Sequence, residues 1–331
     1  MKKLSNFLLT IFFVFFVANA NAQSTKNVGV RYWHSEGETQ WSHCASTACG
    51  GGVLSETING VTYVSLGDPT SELTYSDTKA KILEIYGDWS LPQNDTLIIS
   101  AKIGSGSGDG GSFRDKDWVK NPTSGANQTF SDTLSSTEDT KVNYYILDFG
   151  KTYNYNKSKI KPYVGYVRYK EKLNAYGLTF LEDDLSYYLG GSSGVYSAAN
   201  GINVISNEIT WTGFRIGSEF EYPINPKTSF TINASYVLNA DADNKDSHHL
   251  RSDLGSVPNI FNKGEGDGWM LDVIGDYKHS ESLVFGLGYR YWKFETDSGT
   301  TTFGPNHTTA FPNRSLYSER SGLIASVSYK Y

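Results

Sequence analysis

Apolar and polar residues alternate singly along much of the chain. In one clear example the apolar positions are Phe230, Ile232, Ala234, Tyr236 and Leu238, and the residues between them are mostly polar. A period of two places successive side chains on opposite faces of a β-strand, so each such segment predicts a strand with one apolar face. The predicted strands are 26–35, 71–91, 95–108, 141–153, 159–174, 206–222, 228–240, 267–279, 282–296 and 316–331.

The second face of these strands carries charged residues of both signs on nearly every strand. A closed barrel in an outer membrane accounts for both faces, because lipid meets the apolar face and a hydrated lumen meets the polar one. A soluble β-sandwich is the alternative. The predicted fold class is therefore all-β, a transmembrane antiparallel up-and-down β-barrel of ten strands with long extracellular loops.

The connections between the predicted strands alternate in length. Short ones rich in turn residues lie at 92–95, 154–158, 223–226 and 279–281, and long ones lie at 36–70, 109–140, 175–205, 241–266 and 297–315. Short periplasmic turns and long outer loops are typical of membrane barrels. Several strands exceed the roughly ten residues that cross a bilayer, so we expect them to project above it.

The two ends of the chain support export to an outer membrane. Lys2 and Lys3 precede an apolar run at 8–17, and 20–22 has the small-x-small pattern that a signal peptidase recognises. A membrane anchor is the alternative. The last strand alternates up to the aromatic Tyr331, as is common in barrels that insert into this membrane. The predicted organisation is a signal peptide at 1–22 and one barrel at 23–331.

Composition narrows the classes of partner. The mean hydropathy of −0.41 excludes a helical membrane protein, and the 14% of aromatic residues argues against disorder. The net charge of −6 argues against nucleic acid as a partner. Cys44 and Cys49 predict a small disulfide in an exported protein, with two free thiols as the alternative. No second cysteine pair completes a zinc site, so no metal is expected.

Two pairs of residues in the predicted loops could carry chemistry. Asp115 and Asp117 are two positions apart, so on an extended segment both carboxylates point the same way and can share a proton. Asp246 and His248 have the same spacing, and a carboxylate beside a histidine raises its basicity. Each pair has a plain alternative, a solvated acidic loop or calcium site for the first and a chance surface contact for the second.

Taken together, these motifs make the chain resemble the omptins, a family of ten-stranded outer-membrane aspartyl endopeptidases. The resemblance covers most of the chain after the signal peptide. Its most specific part is an Asp-x-Asp-Trp in the second loop combined with an Asp-x-His in the fourth. The matching pieces are 71–75, 115–118, 139–144, 165–166, 213–217 and 246–248.

The resemblance implies a surface endopeptidase that hydrolyses peptides or proteins. Asp115 and Asp117 would lie on one wall of an extracellular groove, facing Asp246 and His248. His248 would act as general base on a water held between it and Asp115, while Asp246 orients the imidazole. Asp117 would support the other side of the site. Neither a metal nor another cofactor is implied, although omptins need lipopolysaccharide.

The chain departs from the omptin pattern where the family binds basic substrate side chains. One acidic position of that site is Asn244 here, with Asp243 as a substitute. The other falls near Gly37, between Glu36 and Glu38. These four polar residues, Glu36, Glu38, Asp243 and Asn244, are the predicted substrate-binding residues.

The predicted lipid contacts match the family only in part. Tyr166 matches an aromatic residue of the lipopolysaccharide site, and Lys170 stands where that site has an arginine. Arg168 stands where the family has an acid. A solvated lysine at the top of a strand is the alternative for Lys170. The predicted partners are outer-membrane lipid, including lipopolysaccharide, and extracellular peptides or proteins.

Other outer-membrane functions remain open from the sequence. A non-enzymatic barrel would act as an adhesin, a receptor or a structural protein through its long Ser-, Thr-, Asn- and Gly-rich loops. A diffusion pore would need an open lumen, which ten strands with charges of both signs scarcely provide.

Overall fold

A computed structural model describes residues 26–45, 56–58, 61–63, 66–91, 94–120, 126–183, 196–304 and 309–331. The predicted signal peptide lies outside these residues and stays a prediction. No helix in the described ranges is long and apolar enough to cross a membrane. The one helical turn among them is a 3₁₀ turn at Ser252–Leu254.

Antiparallel β-strands make up nearly all of the described chain. Their bounds are β1 Lys26–His43, β2 Glu56–Ile58, β3 Val61–Tyr63, β4 Leu66–Leu91, β5 Asn94–Gly108, β6 Ser112–Lys120, β7 Asn127–Lys151, β8 Tyr153–Tyr155, β9 Ser158–Asp183, β10 Tyr196–Asn225, β11 Thr228–His248, β12 Ile260–Lys278, β13 Leu283–Phe303 and β14 Ala310–Lys330.

The strands close into a ring. Around it run β1, β4, β5, β7, β9, β10, β11, β12, β13 and β14, and β14 pairs back with β1. Strand β6 continues β5 upward between β4 and β7, and β8 continues β7 downward against β9. Strands β2 and β3 form a separate hairpin. The prediction of an antiparallel up-and-down barrel, with ten strands in its ring, is confirmed.

The strands are longer at their upper ends than the sequence predicts. Strand β1 runs on to His43, β11 runs to His248, and β10 begins at Tyr196. The alternation of apolar and polar residues marks only the part of each strand that needs an apolar face. Above that part the outward face turns polar while the inward face keeps apolar side chains such as Trp41 and Trp211, so the pattern weakens while the hydrogen-bonded ladder continues.

An apolar band surrounds the middle of the barrel. Its side chains point outward and remain exposed on the isolated chain; they include Val30, Leu83, Ile85, Leu147, Phe149, Val164, Phe214, Ile216, Leu271, Leu287 and Leu323. Large exposed apolar surface is unfavourable in water. A continuous outward band of this kind is what lipid-embedded barrel surfaces present.

Charged side chains fill the lumen behind this band. Glu84 bonds to Arg31 at 2.6 Å and to Arg290 at 2.8 Å, and Arg290 also bonds to Asp272 at 2.7 Å. Glu84 and Arg290 have no exposed side-chain surface. Since β4 and β13 are not neighbours in the ring, their ion pair crosses the lumen. The lumen is therefore a packed, charge-paired interior at this level.

Candidate functional site

A bulge in β11 turns the Asp246–His248 pair inward. Below the bulge, Leu238 points outward with the other even-numbered residues, and Val237 points inward. Asn239 has a positive φ of 49°, and above it the even-numbered residues become the buried ones. An extra residue in a strand exchanges its two faces. Asp246 and His248 therefore face the interior, although they share the parity of the outward Leu238.

A similar break directs Asp115 and Asp117. In β5 the even-numbered residues point inward, but Gly110 and Gly111 then adopt positive φ values of 115°. After this break the odd-numbered residues of β6 point inward, beginning with the fully buried Phe113. Both aspartates thus lie on the inner face, above the apolar band. They stand on a strand paired with β4 and β7, and not on the loop that the sequence predicts.

Asp246 and His248 form a hydrogen-bonded pair. His248 Nε2 lies 3.1 Å from Asp246 Oδ2, and Asp246 has 0% exposed side chain. The backbone N–H of Ser247 donates to Asp246 Oδ1 at 3.0 Å, which holds the carboxylate in place. Because Asp246 takes Nε2, Nδ1 is the ring nitrogen left for a water or a substrate.

The environment of His248 favours its protonated form. Burial alone lowers the pKa of His248, but the charge and hydrogen bond of Asp246, with a further contribution from Asp115, raise it above the ordinary 6.5. A histidine whose pKa is raised in this way is a stronger base than a free imidazole.

Asp115 and Asp117 keep their protons to a higher pH than ordinary surface carboxylates do. Burial, followed by the charge of Asp117, raises the pKa of Asp115 well above its usual range. Burial also raises the pKa of Asp117, against the opposing effects of Ser71 and His248. Two close carboxylates in a dry site resist losing both protons. The pair can therefore hold a proton near neutral pH.

The two pairs face each other across one space, which we call the groove. The charge of His248 lowers the pKa of Asp115, and Asp115 in turn raises that of His248. Tyr75 is buried close to both pairs, since burial raises its pKa first and the charges of Asp246 and Asp115 raise it further. The structure thus brings all four predicted catalytic residues to one site, with Tyr75 beside them.

Two residues that sequence reasoning missed adjoin the Asp246–His248 pair, which we call the dyad. Asn259 is fully buried, accepts from the His248 N–H at 2.9 Å and donates to the His248 carbonyl at 3.2 Å. His43 is also buried, and burial followed by the charge of His248 lowers its pKa to about 4. His43 lies far from His248 in the chain, and Asn259 belongs to no motif. No local spacing in the sequence could therefore identify them.

The predicted substrate-binding residues divide between the two faces of the barrel. Glu36 is exposed on the outer face, and Glu38 is bonded there to Ser76 at 3.0 Å and to Tyr317. Asp243 is exposed on the outer face of β11. Alternation along β1 and β11 explains these positions. The structure does not bring these three carboxylates to the groove.

Asn244 is the one predicted substrate-binding residue that faces inward. Gly37, between Glu36 and Glu38, faces inward as well. Asn244 is fully buried on the inner face of β11, two residues below Asp246. A side chain at position 37 would begin 2.6 Å from the backbone oxygen of Glu319, so this place in the wall accepts only glycine without a shift. An acid could not stand at position 37 in this backbone.

The two predicted lipid-contact residues lie on the outer face of β9. Tyr166 packs edge-on against Phe214, with 5.8 Å between ring centroids. Lys170 lies four residues higher on the same face and bonds to Glu208 at 2.7 Å. Both positions are therefore accessible to lipid, at and just above the upper edge of the apolar band.

The cysteine prediction falls partly outside the described residues. Cys44 is buried at the end of β1, where its N–H donates to the Pro312 carbonyl at 3.1 Å. Cys49 lies outside the described ranges, so the disulfide stays a prediction. Within those ranges no cluster of His, Cys, Asp and Glu side chains could hold a metal ion.

A closed ring of antiparallel strands with an outward apolar band and a charged interior defines the chain as an outer-membrane β-barrel protein. The family model described as Pom, Protochlamydia outer membrane protein, matches residues 57–318. The chain therefore belongs to this outer-membrane protein family, and its location is the cell outer membrane. A comparison with curated protein sequences gives no match.

One solved structure supports the same fold. The outer membrane protease OmpT from Escherichia coli is similar with a TM-score of 0.67 and 15% identity, over 95% of this chain and 99% of that chain. At this identity the likeness concerns the fold alone. Two further matches have low TM-scores. Neisserial surface protein A matches at 10% identity and a TM-score of 0.26, over 93% of this chain and 100% of that chain. Ail from Yersinia pestis matches at 8% identity and a TM-score of 0.28, over 93% of this chain and 98% of that chain.

Proposed function

We propose that the protein is an outer-membrane endopeptidase of the omptin type, which hydrolyses peptides or proteins at the cell surface. The observation that carries this proposal is the geometry of the groove. A buried Asp246–His248 pair faces a carboxyl pair whose pKa values are raised. An acid and a base with pKa values displaced toward neutrality are the usual partners in hydrolysis.

In the proposed reaction His248 is the general base. Nδ1 of neutral His248 accepts a proton from water as the water oxygen bonds to the peptide carbonyl carbon. Asp246 holds the ring and stabilises the imidazolium that results. The protonated carboxyl group of the Asp115–Asp117 pair donates a hydrogen bond to the developing oxyanion and stabilises its negative charge.

The second half of the reaction returns the proton. The imidazolium of His248 donates it to the leaving nitrogen as the C–N bond breaks, which releases an amine and a carboxylic acid. Water is the nucleophile, so no acyl-enzyme forms. Every group in this scheme belongs to the chain or to the substrate.

A cleavage assay tests the proposal. The barrel is refolded with lipopolysaccharide and incubated with a peptide library, and the products are identified by mass spectrometry. We expect cleavage by the wild type and a loss of about 10²–10⁴-fold in His248→Ala. His279→Ala, at the exposed periplasmic turn, is the matched control and should retain activity. Equal turnover by wild type and His248→Ala would remove the proposal and leave a binding role for the barrel.

We further propose that lipopolysaccharide binds the outer face of β9 and supports activity. Tyr166 offers an aromatic surface at the lipid boundary, and Lys170 offers a cation just above it. A lysine at this height can pair with a lipid phosphate. The experiment compares peptide cleavage with and without lipopolysaccharide. Lys170→Ala should weaken the activation, whereas Lys227→Ala, exposed at the opposite end, should not. Equal activation of all three proteins would contradict a site at Lys170.

A further inference from the structure

Three buried asparagines stand on the inner wall around Asp246, on three consecutive strands. Asn244 on β11 pairs directly with Asn262 on β12, and Asn207 on β10 pairs directly with Asp246. Asn244 and Asn262 are 0% exposed, and Asn207 is 1% exposed. Successive inward residues of a strand are roughly 6.5–7 Å apart, so Asn244 lies about that far from Asp246 along β11. We call Asn207, Asn244 and Asn262 the amide cluster.

The side-chain groups of the amide cluster have no hydrogen-bond partner. The nitrogen and the oxygen of all three amides are closed to solvent and unpaired within the described part of the chain. A buried polar atom left unpaired costs about 1–3 kcal/mol. Six such atoms in one place are unusual in a folded protein, where buried polar groups are nearly always bonded. They indicate a place prepared for hydrogen bonds with another molecule.

The chemistry of the cluster selects its ligand. Each amide has an N–H₂ donor and a carbonyl acceptor, so a matching group must offer both donors and acceptors. Inward neighbours of the cluster include Ile209, Ile260 and Trp211, which carry no charge. The nearby inward carboxylates already have partners, Asp246 in His248 and Ser247 and Glu171 in Arg320. A cationic side chain would thus lack a free counter-ion, and an aliphatic one would leave the amides unpaired.

We infer that the amide cluster is a substrate subsite for a neutral carboxamide side chain, glutamine or asparagine, next to the cleaved bond. This inference rests on the proposed endopeptidase function and gives its substrate class. A substrate carboxamide can pair donor to acceptor with Asn244 and Asn262 while its backbone lies beside the dyad. Since these atoms are closed to water in the free protein, entry of the peptide must turn neighbouring inward side chains aside, while the paired strands stay in place.

A series of matched peptides tests the inference. A scaffold cleaved by the wild type is varied in turn at the two residues flanking the cleaved bond, with Gln, Leu, Lys or Glu. At one of the two positions we expect kcat/KM for Gln to exceed that for each of the others by about tenfold or more, because unmatched peptides leave buried amides unpaired.

Charge substitutions supply the second part of the test. Asn244→Asp keeps the shape and adds a carboxylate, so the preference should move from Gln toward Lys by about tenfold or more. Asn262→Asp is a second route to the same change if the first variant folds poorly. Asn154→Asp, exposed at the periplasmic end, is the matched control and should keep the wild-type preference.

The outcomes separate the two proposals. Cleavage with no preference between Gln and Leu would overturn the subsite and leave the endopeptidase standing. An unchanged preference in folded Asn244→Asp and Asn262→Asp would also overturn it. No cleavage of any peptide would overturn the proposed function, and the subsite with it.

Discussion

At the scale of single residues, the groove places two titratable pairs face to face, and both pairs bind their protons more tightly than the free side chains do. Asp246 raises the pKa of His248, burial raises the pKa of both Asp115 and Asp117, and the charge of Asp117 adds to the rise at Asp115. The base is therefore strengthened on one wall, and a proton is retained on the other. His248 and Asp115 also act on one another, because each favours the ionised form of the other.

The pH dependence of cleavage follows from these directions. His248 must be neutral to act as base, so kcat/KM should fall as the pH drops through a value above 6.5. Asp246→Asn removes the carboxylate that favours the imidazolium, so the acid limb should move to lower pH while the maximal rate falls. Asp243→Asn, on the outer face of the same strand, is the control. An acid limb that stays in place in Asp246→Asn would contradict this role.

Asn259 is a positioning residue. Its amide holds the His248 backbone through two hydrogen bonds, so Asn259→Ala should misplace the ring and lower kcat by about 10–100-fold with little change in KM. The acid limb should remain that of the wild type, because Asp246 is intact. Asn154→Ala is the control. A change in KM alone would assign Asn259 to substrate binding.

At the scale of the strands, the bulges decide which side chains reach the groove. Asn239 in β11 and Gly110–Gly111 after β5 exchange inner and outer faces just above the apolar band. Asp139 in β7 has a positive φ of 52° at a similar break in register. The candidate catalytic residues therefore stand on rigid, paired strands rather than on loops.

The bulge in β11 gives a prediction for Asn239. Asparagine tolerates the left-handed conformation, whereas a β-branched residue there costs about 1–2 kcal/mol. Asn239→Val should lower both the unfolding free energy and the cleavage rate, and Asn239→Gly should preserve both. Urea unfolding in detergent and the peptide assay measure the two quantities. Equal behaviour of Val and Gly at this position would contradict the role of the bulge.

The bulges also explain why the sequence pattern predicts the strands of the ring but not which side chains face the groove. Alternation predicted each strand of the ring, because lipid imposes an apolar residue at every second position. Continued past Leu238, the same alternation would have turned His248 outward, and only the resemblance to omptins placed it in a groove. Asn259 and the amide cluster depend on contacts between strands, which a local pattern does not contain. Glu36 and Glu38 follow plain alternation and face outward.

At the scale of the whole molecule, the barrel has three regions. The apolar band, which we also call the belt, surrounds it on the outside, charged side chains fill the lumen behind this band, and the groove lies above both. The ion pairs of Glu84 with Arg31 and Arg290 occupy the lumen at the level of the belt. These paired charges stand across the lumen below the groove and obstruct a straight passage for solutes at that level. Membrane insertion thus presents the groove to the cell exterior.

The position of the membrane can be tested on β13. Leu287 is 67% exposed in the belt, and Ser298 is exposed higher on the same strand. Leu287→Arg should lower the free energy of unfolding from lipid vesicles by about 2–4 kcal/mol, since a charge then faces hydrocarbon. Ser298→Arg should change it little. Tryptophan fluorescence in a urea titration measures both. Equal costs at the two positions would contradict this placement of the belt.

The central claim is that His248 and Asp115 act together across the groove on one peptide bond, His248 on the attacking water and Asp115 on the developing oxyanion. A double-mutant cycle on kcat/KM tests it most directly, with His248→Ala, Asp115→Asn and the double variant assayed on one cleaved peptide. Groups that act as a unit are strongly non-additive, so the double variant should be about as slow as the slower single variant. Losses that multiply in the double variant, or either single variant retaining wild-type kcat/KM, would contradict the account.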